Sequence, residues 1–324
     1  MIDIKRLLEM KKYIPLYKLL RENKEVYASI APSIVGQFGE NISMGQLRTA
    51  FRKIGFEEMI EVALFADILT IKEAYEFDKL VNSKEDFYLT SCCCPIWIKM
   101  VEKSYPDLFK HMSLSVSPMI ASGRFMKRIY SGSKIVFFSP CTAKKVESRD
   151  PRVEDAIDLV ITYRELNEIF SLLNIDLNNL SEDNINQASF AGRTYARTGG
   201  VSLSVKTVVN RIAPDRVISL KAKRIDGIKE CKEVLDYLKR GKKIEENFIE
   251  GMGCAGGCVG GPETNIDVNE ATRIVNEYSE ESYIMTPMDN ANIIDILEKM
   301  GLKDFSDVYY NEEIKDLLTR KKLK

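Results

Sequence analysis

The sequence predicts an α/β fold, with parallel or mixed sheets flanked by helices. The first observation is that short runs of β-branched and aromatic residues alternate with longer amphipathic stretches along most of the chain. Strands that alternate with helices favour parallel pairing, because each helix returns the chain to the same edge of the sheet. The second observation is that three cysteine-containing segments each follow a predicted strand. In parallel α/β proteins that edge is where functional sites are built.

The N-terminal half alternates between predicted helices and strands. The predicted strands are residues 25–31, which read EVYASIA, and residues 87–90. The predicted helices are a surface helix at residues 5–22, a helix at 44–54 capped by Ser43, an apolar stretch that follows to about residue 77, and a helix at 95–103. Pro95 suits the start of the last helix, because a first helical residue has no partner for its N–H.

The second half repeats this alternation. The predicted strands are residues 134–138, 157–162 and 217–223, and the predicted helices begin near residues 163, 198 and 228. A polar, Asn-rich connection covers residues 172–192, and residues 267–324 are mostly helical. We therefore expect an N-terminal helical segment at 1–24, a central domain at 25–266, and a C-terminal helical segment at 267–324 that packs on it.

The charge and hydropathy of the chain exclude several classes of function. Its 324 residues carry a formal net charge of −1, so no overall field attracts nucleic acid or an anionic membrane. No apolar run approaches the roughly 18 residues of a membrane span, and the N-terminus lacks a signal-peptide core. The basic residues 320–324 are expected to be a solvated tail. We therefore expect a cytoplasmic protein that binds neither nucleic acid nor membrane.

The cysteines are the most specific feature of the sequence. The chain has seven cysteines and one histidine, and six of the cysteines lie in three segments. These segments read TSCCCP at residues 90–95, SPC at 139–141 and GCAGGCVGG at 253–261. An odd number of cysteines in a reducing compartment argues against disulfides, and it leaves metal ligation, catalysis or plain burial.

The third segment favours an iron–sulfur cluster. Cys254 and Cys258 lie in a loop with five glycines, which lets the backbone approach a bulky inorganic core. Thiolates bind both iron–sulfur clusters and zinc. Zinc sites usually combine two close ligand pairs, or cysteines with histidines, and His111 has no second histidine to join it. Zinc, and a plain turn with two buried thiols, remain the alternatives.

The three segments resemble the signature motifs of the catalytic domain of [FeFe]-hydrogenases. The family motifs TSCCPxW, PCxxKxxE and MxCxxGCxxGG correspond to residues 91–97, 140–147 and 252–261. Order and context agree across about residues 25–262. The resemblance implies two lobes with the cofactor, the H-cluster, in the cleft between them. It also implies reversible oxidation of H2 and reduction of protons.

The resemblance assigns the thiols. The H-cluster would consist of a [4Fe–4S] cube and a two-iron subcluster with CO, cyanide and azadithiolate ligands. The cube would be held by Cys94, Cys141, Cys254 and Cys258, and Cys258 would also bridge the cube to the two-iron subcluster. Cys93 aligns with the thiol that passes protons to the bridgehead amine of the azadithiolate.

The resemblance also assigns contacts to the two-iron subcluster. Lys144 would donate a charge-assisted hydrogen bond to one cyanide, and Glu147 could orient it. Pro32 and Ser33 match the contacts to the other cyanide, and Met252 would pack on the two irons. Ser139 stands where the best-studied members have methionine, which makes that packing looser and more polar.

The family's proton route corresponds to three further residues. Glu73 and Glu76 lie twenty and seventeen residues before Cys93, and Ser113 lies twenty after it, at the offsets of the family's relay. The two glutamates are three apart, so they share a helix face. The alternative is a solvated acidic helix face. The family's outermost arginine corresponds to Leu80, so the exit to the surface is altered.

Other departures leave the physiological role open. Cys92 replaces the motif serine and places an extra thiol beside the relay, and Pro262 and Glu263 follow the last motif in place of the family's residues. These changes resemble less-characterised branches of the family, including sensory hydrogenases. Bulk turnover and H2 sensing are both compatible with them.

The implied partners are H2, protons, an external electron carrier such as a ferredoxin, and the maturation proteins that insert the two-iron subcluster. The chain has no accessory cysteine runs, and Cys231 is the only cysteine outside the site. Either the carrier reaches the cube directly, or the sequence is the catalytic domain of a longer protein. Without maturation proteins the chain would bind the cube alone, or nothing.

A non-catalytic reading is the alternative to the enzyme. Hydrogenase-like proteins of cytosolic iron–sulfur assembly are [4Fe–4S] scaffolds that lack the two-iron subcluster. Those proteins carry extra N-terminal cysteines, which this sequence lacks.

Overall fold

The computed structural model describes residues 2–90 and 93–321. Cys92, the predicted extra thiol, lies outside the described residues. Within them, seven strands form two sheets, and helices pack on both. The predicted α/β class, with parallel sheets flanked by helices, is confirmed.

All pairs between the described strands are parallel. The strands are β1 Val26–Ile30, β2 Glu58–Glu61, β3 Tyr88–Leu89, β4 Lys134–Ser139, β5 Leu159–Thr162, β6 Ala222–Asp226 and β7 Phe248–Met252. The first sheet has the order β2-β1-β4-β5 and the second has the order β3-β7-β6. Because pairing is parallel, the carboxyl ends of β1 and β4 lie together, as do those of β3 and β7.

The helices alternate with these strands. The described α-helices are α1 Ile14–Glu22, α2 Met44–Ile54, α3 Ala63–Leu80, α4 Pro95–Ser104, α5 Pro118–Ile129, α6 Ala143–Glu147, α7 Tyr163–Leu172, α8 Phe190–Arg193, α9 Gly200–Ile212, α10 Ile228–Lys239, α11 Val268–Glu280, α12 Ala291–Lys299, α13 Asp307–Tyr310 and α14 Glu312–Leu317. Ser43 caps α2 in a capping box with Gln46, and Pro95 opens α4, as predicted. No helix in the described ranges is both long and apolar enough to cross a bilayer.

A layer of helices lies between the two sheets. Along β1, Val26 and Ala28 pack in one apolar cluster with α2 and α7, whereas Tyr27 packs in a central cluster with α3, α5 and α9. Phe248 of β7 belongs to the same central cluster, while Ile249 packs in a third cluster with α4 and α10. Successive strand residues point to opposite faces, so each sheet has one face on the central layer and one on outer helices.

Helix α3 runs through the central layer and is buried nearly all round. Thirteen of its eighteen residues are buried, including the charged residues Asp67, Lys72 and Glu73. Because burying an unpaired charge is costly, these side chains must find partners inside the protein. The centre of the molecule therefore contains a polar network on one helix.

Two predictions in the strand pattern are wrong. The strand predicted at residues 217–223 begins only at Ala222, and Val217 is 93% exposed. The side chain of Asn247 accepts a hydrogen bond from the Lys221 N–H (2.8 Å), and this contact fixes where β6 starts beside β7. Residues 58–61, predicted as part of a helical stretch, form the edge strand β2. There Glu58 is held by Arg48 of α2 (2.7 Å).

The N-terminal helix predicted at residues 5–22 is also wrong in detail. The chain forms two short 3-10 helices, Ile4–Glu9 and Lys11–Tyr13, before α1 begins. Pro15 stands at the start of α1, where its missing N–H does not interrupt a hydrogen-bonded helix. Leu7 and Leu16 are buried, so this segment packs on the first sheet and is more than a surface helix.

A tight contact under the second sheet supplies a first prediction. A methyl group added at Gly251 of β7 would lie 2.2 Å from the ring of Trp97, which is buried on α4. Gly251→Ala is therefore expected to lower the free energy of unfolding by about 1–3 kcal/mol, because the core has no room for the extra carbon. Urea unfolding of the apoprotein measures this, and an unchanged midpoint would contradict it.

Candidate functional site

The site is built where four strands end. Pro32–Ile34 is a short 3-10 helix after β1, Cys93 and Cys94 follow β3, Cys141 follows β4, and residues 253–258 follow β7. Direct contacts join the segments that follow these strands. The Gly253 N–H donates to Cys94 Sγ (3.2 Å), and the Glu263 N–H donates to the Pro140 carbonyl (2.9 Å).

The four predicted cube ligands lie close enough to influence one another. Burial raises the pKa of Cys94, and the charge of Cys141 adds to that effect. Burial also raises the pKa of Cys254 to about 11, with Cys94 and Cys141 contributing. The pKa of Cys258 is raised by burial and by the other three thiols, although Lys144 opposes the change. Thiols with raised pKa values ionise only when a cation lies close to them. A bound metal would be such a cation, since the thiolate is the form that binds metal.

The described cysteines form no disulfides with one another. Each of the six described cysteines is free. Zinc requires four ligands around one ion. Within residues 2–90 and 93–321, no group of three or more Cys, His, Asp or Glu side chains is placed to hold a single metal ion.

The glycine-rich turn fits a bulky cofactor. Gly257 has φ +91°, and a side chain there would come within 2.7 Å of the Thr198 nitrogen. A side chain at Gly261 would come within 2.6 Å of the Pro140 carbonyl oxygen. The buried Thr198 hydroxyl beside this turn has no hydrogen-bond partner in the part of the chain described. The turn therefore keeps side chains away and leaves one polar group available to a bound molecule.

The thiol predicted to carry protons lies next to the predicted cofactor contacts. Cys93 Sγ is 3.5 Å from the sulfur of Met252, and both side chains are buried. Lys144 Nζ donates to the Cys93 carbonyl oxygen (2.9 Å). The three residues thus form one wall beside the four predicted ligand thiols.

Lys144 belongs to a buried triad of charges. It donates to Glu147 Oε2 (2.7 Å), and Arg320 donates to Glu147 Oε1 (2.9 Å). Burial opposes the charge on Lys144, but Glu147 outweighs it and raises the pKa. Arg320 is only 8% exposed, so the expectation of a solvated basic tail is wrong at this residue. The tail is held because the Arg320 N–H donates to the Leu114 carbonyl (2.9 Å).

The remaining predicted contacts also line this region. Ser33 is buried and shares a 2.8 Å hydrogen bond with the Tyr163 hydroxyl, which also donates to the Ala31 carbonyl (3.2 Å). Burial keeps the pKa of Tyr163 well above its usual value, so the phenol stays neutral. Ser139 accepts a hydrogen bond from the Cys141 N–H (3.2 Å) and thereby fixes the backbone at that ligand.

The predicted proton route is a buried polar network, which makes the alternative of a solvated acidic face wrong. Glu73 is fully buried and accepts from the Thr90 hydroxyl (2.7 Å). The Ser113 hydroxyl donates to Glu76 Oε2 (2.7 Å). Leu80, the position that corresponds to the family's outermost arginine, is 60% exposed.

Sequence reasoning missed five participants. They are Arg320 and Tyr163, which hold Glu147 and Ser33, and Lys72, Tyr88 and Ser115, which join the network at Glu76. Lys72 and Glu76 are four apart on one helix, a spacing that is visible in the sequence. Nothing in the sequence relates residue 320 to residue 147.

Comparisons with known proteins place this geometry in a family. The profile of "Iron only hydrogenase large subunit, C-terminal domain" matches residues 24–262. Iron hydrogenase 1 of Clostridium pasteurianum is 28% identical over an alignment of 298 residues, and the match covers 78% of this chain. The chain spans only 52% of the length of that protein.

Two further likenesses cover most of the chain. A probable cytosolic Fe-S cluster assembly factor of Drosophila persimilis is 23% identical over 94% of this chain and 77% of its own length. A solved variant of the [FeFe]-hydrogenase HydA1 from Chlamydomonas reinhardtii superposes with a TM-score of 0.72 over 98% of this chain and 97% of that chain. At 19% identity the second likeness shows the fold alone. Because the profile match covers most of the chain, the protein belongs to the family of the iron-only hydrogenase large subunit, C-terminal domain.

Proposed function

We propose that the protein is an [FeFe]-hydrogenase that interconverts H2 with protons and electrons. The observation that carries the proposal is the wall beside the four ligand thiols. Cys93, Met252 and Lys144 have no role in holding a cube, yet they lie together in the same buried region. A protein that held only a cube would have no need of a buried thiol and a buried cation there.

In this proposal the four cysteine thiolates hold a [4Fe–4S] cube, and Cys258 also bridges to a two-iron subcluster. When bound, that subcluster would supply the Lewis acid and the base between which H2 is split. Lys144, charged at neutral pH because of Glu147, would neutralise and orient an anionic cyanide ligand. Pro32, Ser33 and Ser139 would make further contacts with the subcluster, and the Tyr163 hydroxyl shares a hydrogen bond with Ser33.

Protons would move through residues of this chain. Cys93 would deliver and reclaim a proton without becoming permanently ionised, because a buried thiol is a weak acid. Glu73, Ser113 and Glu76 would continue the route toward the surface. The contact between Ser113 and Glu76 at 2.7 Å supports the outer part of this order.

The partners follow from the same chemistry. An external carrier such as a ferredoxin would exchange electrons with the cube, and maturation proteins would insert the two-iron subcluster. We propose a cytoplasmic location, where a reducing environment keeps the free thiols available. Whether the protein supplies bulk turnover or senses H2 depends on how fast protons pass.

A [4Fe–4S] scaffold without a two-iron subcluster is the second candidate. It is supported by the likeness to the probable Fe-S cluster assembly factor of Drosophila persimilis. The two candidates share the four ligand cysteines and differ in what else the site must bind.

Stepwise loading separates the two candidates. The apoprotein is first supplied with iron and sulfide and then with a synthetic two-iron azadithiolate complex. H2 evolution from reduced methyl viologen is measured after each step. We expect turnover to appear only after the second step. A protein that takes up four irons in the first step and gains no turnover in the second would favour the scaffold.

A further inference from the structure

A buried lysine lies at the outer end of the proposed proton route. Lys72 is in the middle of α3, and its side chain is 1% exposed. It forms an ion pair with Glu76, one helical turn away, whose side chain is 17% exposed. Taking charges out of water is costly. An ion pair with a buried partner therefore needs good geometry and further hydrogen bonds to offset that cost.

The lysine closes a ring of hydrogen bonds around the Glu76 carboxylate. Lys72 Nζ donates to one oxygen of Glu76 and to the Ser115 hydroxyl (2.7 Å). Ser113 and the Tyr88 hydroxyl each donate to the other oxygen at 2.7 Å. Ser113 and Ser115 are themselves 2.8 Å apart. Three donors therefore converge on Glu76, and every one of them favours its ionised form.

The surrounding elements leave Lys72 as the decisive charge. The titratable or charged groups that face Glu76 are Lys72 on its own helix, Tyr88 on β3 and Tyr309 on α13. Glu73, one turn away on α3, acts with Glu76 on the Tyr88 hydroxyl. Burial alone would raise the pKa of Glu76, but Lys72 and the hydrogen bonds from Ser113 and Tyr88 lower it.

We infer that Lys72 is a positioning residue that holds Glu76 as a carboxylate and so restricts proton passage at the mouth of the route. The inference rests on the proposed function, because the route matters only if the protein turns over H2. Its physical basis is that a carboxylate carries a proton inward only while it is protonated. Each pH unit by which the pKa lies below the ambient pH lowers that protonated fraction tenfold.

The consequence is a slow and pH-dependent enzyme. Inward transfer requires Glu76 to take a proton from water and pass one to Ser113, which must release its own proton further inward. A fixed ammonium beside Glu76 opposes the first step. Slow proton transfer of this kind suits a protein that senses H2. It suits a protein that turns over H2 in bulk less well.

The apoprotein offers a test that needs no cofactor. Infrared titration would follow the carboxylic-acid band that disappears in Glu76→Gln, which identifies the Glu76 signal. In the wild type we expect protonation below the ordinary range for a glutamate. In Lys72→Met we expect the midpoint to rise by at least about one pH unit. Lys53→Met, which removes an exposed lysine on α2, should leave the midpoint in place.

Several results would overturn the inference. One is a wild-type Glu76 that takes up its proton at or above the ordinary value. This measurement needs no lysine variant, so it tests the inference even if Lys72→Met does not fold. Another is a folded Lys72→Met protein with an unchanged midpoint. Lys72→Arg, which keeps the charge, should retain the low midpoint.

The second measurement uses the loaded enzyme. The pH profile of H2 evolution in Lys72→Met should move toward higher pH by the same interval as the infrared midpoint. An unmoved profile in an active, loaded variant would contradict the inference. If neither protein gains turnover on loading, the proposed function fails, while the apoprotein titration still decides the state of Glu76.

Discussion

Cys93→Ala is expected to lower H2 turnover at least about 100-fold while the iron content per chain stays unchanged. The thiol is buried against Met252, and it is not one of the four proposed ligand thiols. Its removal would take away the proposed proton carrier and leave the proposed ligands in place. H2 evolution and iron content are measured on the same loaded preparation.

Cys231→Ala is the matched control. Cys231 is also a buried free thiol, and it donates to the Met252 carbonyl (3.3 Å) from the outer side of the second sheet. Its loss should leave turnover within a few-fold of wild type. If Cys93→Ala keeps full turnover, or if both variants lose it equally, the relay assignment fails.

Glu147→Gln is expected to lower the free energy of unfolding of the apoprotein by about 3–5 kcal/mol. Glu147 accepts a hydrogen bond from the Arg320 side chain and another from Lys144, which also donates to the Cys93 carbonyl. The neutral amide would leave two buried cations without their shared counter-charge. Urea unfolding measures the change. Glu298→Gln, at an exposed position on α12, is the control and should change it by less than about 0.5 kcal/mol.

The pH dependence of this difference has a definite sign. Burial alone would raise the pKa of Glu147, but Lys144 and Arg320 lower it below the ordinary range. A lowered pKa stabilises the folded protein above the ordinary carboxyl pKa, and this contribution is lost as the pH falls through the lowered value. The gap between wild type and Glu147→Gln should therefore be full at neutral pH and shrink in acid. A gap that grows in acid would contradict this assignment.

Local patterns in the sequence were sufficient for the main architecture and for locating the candidate site at the strand ends. Ser43 and Pro95 start helices by local capping rules, and the structure has both helices. The predicted cofactor residues lie in short segments at strand ends, and parallel pairing brings those ends together. Lys144 and Glu147 meet because they are three apart on α6.

What the sequence did not reveal depends on contacts between distant segments. The mostly apolar residues 217–220 are typical of a strand, but the Asn247 contact to Lys221 lets β6 begin only at Ala222. The charged strand β2 reads as helix because its pairing with β1 and its ion pair with the distant Arg193 are tertiary contacts. Its other partner, Arg48, comes from the preceding helix α2. Arg320 reaches Glu147 only after the C-terminal segment has folded over α5.

Infrared spectroscopy of the protein after loading with the synthetic two-iron complex tests the hydrogenase assignment most directly. We expect stretching bands of CO and cyanide that stay with the protein through gel filtration. In Cys258→Ser, which removes the proposed bridging thiolate, these bands should be lost or displaced. Absence of the bands from wild-type protein that contains the cube would contradict the hydrogenase assignment.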